Sequence, residues 1–245
     1  MQRMLMLLSI LLILIPLASA SADEVTERHG FGLESGFMKL TGGEFGFSNW
    51  DQSVGIHYRY GLKPNWTLQA GLHYGQVHPT GDMEGTETVP FANRDEILTM
   101  VTQPSLDLLY HFTPEEKWSA YAGAGLGVAF VDVRDTRNEM GTGNFFGPGG
   151  IQPVGYNEDG EIEELETTNF TASLLAGVEY FVTPDLVVGA GARYGWMAGG
   201  GLDNIGLSSP RVYDDAAFVD ANDGVFDISL GFTWFFGSND SDHDG

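Results

Sequence analysis

Residues 225–236 alternate with a period of two. Phe226, Ile228, Leu230, Phe232, Trp234 and Phe236 are bulky and apolar, and the positions between them are mostly Asp227, Ser229, Gly231 and Thr233. Successive residues of a strand point to opposite faces, so this segment forms one broad apolar face and one small, polar face. A strand in a soluble sheet buries its apolar side and carries charge on the other. Here the second face is too small and too poor in charge to be an ordinary solvated surface. The inversion fits a strand whose apolar side meets lipid and whose small side fills a narrow lumen.

The rest of the sequence is compatible with that reading. A length of 245 residues allows one large β domain or two small ones. No internal run reaches the roughly 18 apolar residues of a membrane helix, but a barrel needs only alternate residues to be apolar. The 34 glycines and 12% aromatics suit strands better than helices. A formal net charge of −23 excludes nucleic acid as a natural partner, because phosphate binding needs clustered Lys and Arg. Cysteine is absent, which removes disulfides, thiolate catalysis, zinc-thiolate sites and lipid-modified cysteine. At the start, Arg3 precedes an apolar run from Met4 to Leu17, followed by the small residues 18–22. That pattern predicts a secretory signal peptide over 1–22, cleaved after Ala20 or Ala22.

Beyond the signal, strand-like segments fall at about 31–41, 50–61, 66–77, 99–112, 118–131, 168–182, 186–198 and 224–236. Short connections alternate with long ones. The short ones centre on Pro64, Pro114 and Pro184, and the long ones cover about 42–49, 78–98, 132–167 and 199–223. Eight antiparallel strands with both chain ends on one side require three connections on that side and four on the other. Outer-membrane barrels have short periplasmic turns and longer extracellular loops, so the proline turns are assigned to the periplasm. The expectation is an all-β, eight-stranded, antiparallel up-and-down transmembrane β-barrel over 23–236, with three short turns and four long loops. A soluble lipocalin-type barrel would have the opposite parity, apolar inside and charged outside.

Parity sorts the side chains of each strand. The lipid face takes residues such as Val54, Ile56, Leu72, Leu106, Leu108, Leu126, Phe170, Leu174, Val178 and Trp196. Aromatics gather near the strand ends: Tyr60, Trp66, Phe112, Trp118 and Phe236 by the short turns, and Tyr74, Phe130 and Trp196 by the long loops. Two such girdles are expected where amphipathic rings sit at headgroup depth. The first strand has the least regular alternation, at Met38-Lys39-Leu40. The lumen face takes glycines, His57, Arg59, Gln69, His73, Gln103, Ser105, Asp107, Glu179, Arg193, Asp227 and Thr233. An eight-stranded barrel is just wide enough inside for its own side chains. Arg59 and Arg193 are therefore expected to form an ionic network with Glu34, Asp107, Glu179 and Asp227 that plugs the lumen, since buried charges must be paired.

This strand rhythm, the loop sorting, the girdles and the aromatic-ended Phe232-Thr233-Trp234-Phe235-Phe236 resemble the OmpA-type family of small outer-membrane β-barrels over about residues 30–236. The resemblance implies export to the outer membrane, contact with its lipid and lipopolysaccharide, and reading of the final strand by the barrel assembly machinery. The family includes anchors, adhesins, evasion factors and narrow channels, and some outer-membrane barrels are lipid A-modifying enzymes; a monomer is expected. The acidic segment 237–245, with Asp240, Asp242 and Asp244, looks like the start of the calcium-binding linker that joins some such barrels to a peptidoglycan-binding domain. The sequence departs from that pattern by ending at Gly245, so 237–245 is either the start of such a linker in a longer protein or a polar end.

Three further motifs carry less. The tail carboxylates are hard oxygen ligands suited to Ca²⁺, but the later ligands of a full calcium loop do not follow. No other cofactor is expected. Gly123, Gly125 and Gly127, with Gly189 and Gly191, superficially resemble phosphate loops, yet they sit at period two inside strands, where a crowded lumen wants small residues. Ser105, Asp107, His57, His73 and His111 share the lumen parity, so a Ser/His/Asp group is conceivable, but catalysis needs the nucleophile and base within hydrogen-bond reach. The long loops concentrate acid at 82–87, 158–166 and 214–223, and residues 141–156 add apolar groups to the longest of them. The expected role is structural, with an acidic outer surface; conduction and enzymatic activity are the alternatives.

Overall fold

A computed structural model describes residues 25–41, 50–77, 97–135, 140–141, 154–156, 162–164, 168–198 and 224–237. Eight long strands carry the architecture: β1 (His29–Thr41), β2 (Asp51–Lys63), β3 (Trp66–Val77), β4 (Ile97–His111), β5 (Trp118–Asp135), β6 (Thr168–Phe181), β7 (Leu186–Ala198) and β8 (Gly224–Phe236). Each strand pairs antiparallel with its sequence neighbours, and β1 pairs with β8 from His29↔Phe236 to Thr41↔Gly224. The ring is therefore closed and leaves none of the eight with a free edge. Two short pairings lie outside the ring: Met140–Gly141 pairs antiparallel with Arg134–Asp135 at the end of β5, and Val154–Tyr156 pairs with Ile162–Glu164.

The observed strands follow the expected ones, with small differences at their ends. β2 continues to Lys63 because its ladder with β3 shifts register between Gly61 and Lys63, which leaves only Pro64 and Asn65 for the turn. β5 runs on to Asp135, because its last residues still find partners in β4 and in Met140–Gly141. The short turns are tied by polar bonds, one of them to a neighbouring strand. The Asn65 side-chain amide donates to the His111 carbonyl at 2.8 Å, the Thr113 hydroxyl to the Trp118 carbonyl at 2.8 Å, and the Leu186 N–H to the Thr183 hydroxyl at 3.0 Å.

The parity holds around the ring. Phe170, Leu174 and Leu126 are 65–70% exposed on the outer face, whereas Asp107 inside has no exposed surface. An apolar belt of this extent is not left to water by a folded protein and needs a lipid solvent. Even β1 obeys the rule: Phe31 and Leu33 face out while Met38 and Leu40 point inward and are buried. Rings cluster at the short-turn rim, with Trp66 and Tyr110 at 5.0 Å, Tyr110 and Phe112 at 5.3 Å, and Trp118 and Tyr180 at 4.7 Å between centroids.

Inside, side chains form three layers. Val25, Phe181, Val187 and Phe235 make an apolar cluster at the short-turn end. Met38, Leu40, Val77, Val101, Ala129, Val131, Met197 and Val225 make another towards the long loops. The polar lumen lies between: along β7 the chain passes from Val187 through Arg193 to Met197, and along β8 from Val225 through Asp227 to Phe235.

Candidate functional site in the lumen

Two arginines cross the interior. Arg59 of β2 reaches Glu179 of β6, and these strands lie on opposite sides of the eight-membered ring. Its Nε also donates to Gln69 Oε1 at 2.7 Å, and its guanidinium carbon stands 5.9 Å from the centre of the Tyr121 ring. Arg193 of β7 reaches Asp107 of β4 as a fork: Nη2 to Oδ2 is 2.6 Å and Nη1 to Oδ1 is 3.2 Å. Such bidentate pairing with a carboxylate is the strongest and most directional form of this contact. Ser105, Ser173 and Gln69 donate to the same carboxylate at 3.1, 3.3 and 3.5 Å. Ser173 lies on β6, so its bond to Asp107 passes over β5, where a Cβ on Gly125 would collide with Asp107 Oδ1. Glycine at that position is a requirement of the lumen and not a phosphate loop.

Among the described residues, the other two acids pair with no arginine. Glu34 lies 2.8 Å from His73 Nδ1 and 4.0 Å from His57 Nδ1. Asp227 stands directly across from Arg193 in the β7–β8 register, yet Arg193 turns to Asp107, and Asp227 accepts a 2.5 Å hydrogen bond from the Ser53 hydroxyl. The six charged residues singled out by parity are thus all inward, but they group as Arg59–Glu179, Arg193–Asp107, Glu34 with histidines, and Asp227 with Ser53.

The imagined catalytic group is not assembled. Ser105 bonds Asp107 and accepts from Arg193 Nη1 at 3.2 Å, while His57 Nε2 is 2.9 Å from the Thr233 hydroxyl and His111 Nδ1 is 3.6 Å from Glu179. No hydrogen bond joins Ser105 to any of the three histidines among the described residues. Sequence reading missed Tyr121. Its ring approaches the backbone of Gly177 and Gly191, where an added Cβ would meet the Tyr121 hydroxyl at 2.5 and 2.6 Å. The signal was available, because Tyr121 shares the inward parity of Gly123 and Gly125. Among the described residues no His, Cys, Asp or Glu cluster has metal-holding geometry. The signal segment, the acidic stretches 82–87, 158–161, 165–166 and 214–223, the loop segment 142–153, and the tail residues Asp240, Asp242 and Asp244 lie outside the described residues.

Comparison with known proteins bears on the fold. Residues 10–236 match the family model described as the outer membrane protein beta-barrel domain. The fold is similar to that of Neisserial surface protein A, with a TM-score of 0.53 at 14% identity, covering 85% of this chain and 97% of that one. OprG from Pseudomonas aeruginosa matches with a TM-score of 0.48 at 12% identity, covering 88% and 99%. The outer membrane enzyme PagL matches with a TM-score of only 0.33 at 14% identity, covering 82% and 98%, too low to carry an argument about activity. No curated protein matches in sequence.

Proposed function

This chain belongs to the outer membrane protein beta-barrel domain family, and we propose that within it the protein is a structural barrel of the cell envelope with a plugged lumen, neither a pore nor an enzyme. The observation that carries the reading is the Arg59–Glu179 contact between opposite strands, with Arg193–Asp107 beside it. A conducting lumen needs a continuous wet path. Here the centre of the cross-section is occupied by paired charges, and apolar clusters lie on both sides of them. Pairing lowers the cost of holding charge in such a place, whereas opening a path would separate the partners.

In this reading the outer face contacts membrane lipid and lipopolysaccharide, the aromatic-ended β8 is handed to the barrel assembly machinery, and the monomer presents its acidic loops at the cell surface. Attachment to peptidoglycan would come through a domain following the 237–245 segment. Liposome swelling tests the plug. Vesicles holding the refolded protein should swell in small sugars no faster than protein-free vesicles, and swelling proportional to protein content would replace this reading with the channel. The enzyme alternative predicts altered lipid A in cells overexpressing the protein; on our reading the lipid A mass spectrum is unchanged.

A further inference from the structure

The four residues before β1 are not a loose leader. Val25 is buried against Phe181, Val187 and Phe235. Thr26 forms a parallel bridge with Gly61 of β2. The Glu27 N–H donates to the Gly61 carbonyl at 2.8 Å, and the Gly61 N–H donates to the Arg28 carbonyl at 3.1 Å. The segment turns on itself through an Arg28 N–H bond to the Val25 carbonyl at 3.1 Å, with Glu27 in the left-handed region at φ 61°. A non-glycine residue persists there only where its surroundings over-determine it. Arg28 is as buried as Val25. Its Nη1 donates to the Pro184 carbonyl at 3.0 Å, Nη2 pairs with Asp185, and the guanidinium stands 5.8 Å from the centre of the Phe235 ring. The Phe235 N–H in turn donates to the Asp185 carbonyl at 2.7 Å.

The span of these contacts gives the segment its meaning. One side grips β2, and the other grips β8, the start of β7 and the β6–β7 turn. Between them lies the β1–β8 seam, which joins the first strand to the last and closes the ring. Both sets of partners come within reach of the same four residues only once that seam has formed. We propose that residues 25–28 are a latch: an apolar anchor at Val25 and a cationic hook at Arg28, seated on Gly61, that fastens the closed seam at the short-turn end. Gly61 is its receiver, because a Cβ there would collide with the Val25 carbonyl.

A contact made after closure stabilises the product more than the transition state, so its loss should speed opening and leave closing nearly unchanged. The chain has no cysteine, so one introduced thiol reports cleanly. Val187→Cys places it under the latch, at a position that is 1% exposed. In the folded barrel in detergent, Val25→Ser with Arg28→Ala, or Gly61→Val alone, should raise the maleimide labelling rate of that cysteine by about tenfold or more. The same changes, without the reporter, should raise the urea unfolding rate by a similar factor and alter the folding rate by less than about twofold. Labelling unchanged by either variant, or an effect confined to the folding rate, would overturn the latch. Should both variants fail to fold, amide exchange on the unaltered protein still decides it. The N–H groups of Glu27, Arg28 and Gly61 should exchange as slowly as those in the middle of β1, and exchange of Glu27 and Arg28 at the rate of free peptide refutes the proposal.

Discussion

Replacing Arg193 with methionine isolates the cost of one buried charge. The substitution keeps an unbranched apolar stem but strips Asp107 of its bidentate partner, leaving a carboxylate with no exposed surface. Removing one member of a buried ion pair typically costs about 3–5 kcal/mol. Three weaker donors stay in place, from Ser105, Ser173 and Gln69 at 3.1–3.5 Å, so the lower end applies, roughly 3 kcal/mol. With a urea dependence of about 2–3 kcal/mol per molar, the unfolding midpoint in detergent or lipid vesicles should fall by about 1 M. The companion variant replaces both partners, Asp107→Leu with Arg193→Met. It leaves no orphaned charge, and apolar replacement of a whole buried pair is often neutral or stabilising, so the midpoint should return at least half way to that of the parent. A single variant with the parental midpoint would show that Asp107 is not charged and enclosed. A double variant as unstable as the single would show that packing, not the uncompensated carboxylate, sets the cost.

Other substitutions probe the outer face and the crowding of the lumen. Leu126→Arg places a cation near the middle of the apolar belt and should cost about 2–4 kcal/mol in a bilayer, whereas Leu62→Arg at the short-turn rim should cost about 0–1 kcal/mol; equal costs would deny that depth in the membrane matters. Gly125→Val should destabilise by about 1–3 kcal/mol through collision with Asp107, and part of that loss should vanish when Asp107→Ala is made in the same chain. Tyr121→Ala should also be destabilising, because it empties the space above Gly177 and Gly191, and thermal scans in detergent would register it.

The barrel itself was legible because it rests on short-range rules. Period-two alternation survives in every strand, and the proline turns announce the short connections without reference to anything distant. Parity also placed Glu34, Arg59, Asp107, Glu179, Arg193 and Asp227 on one face. What it could not give was reach. Arg193 and Asp227 are opposed in the ladder, so local register favours their pairing. Arg193 instead crosses the interior to an acid where two serines and a glutamine converge, a choice fixed by three-dimensional distance. The histidines beside Glu34 were unassigned for the same reason. The segment 25–28 left no trace in the sequence reading, because four residues carry no periodicity and their partners lie on strands far along the chain. Gly61 has the pattern of any other strand glycine, and only the fold brings the Val25 carbonyl against it.

The lumen is closed by its own paired side chains. Single-channel recording in planar bilayers tests this most directly, with the unaltered protein measured beside Arg59→Ala/Glu179→Ala. Inserted parental barrels should give no conductance steps, while the double variant, which removes the contact between opposite strands, should give small discrete ones. Stable, reproducible steps from the unaltered protein would contradict the plugged lumen and make the protein a channel.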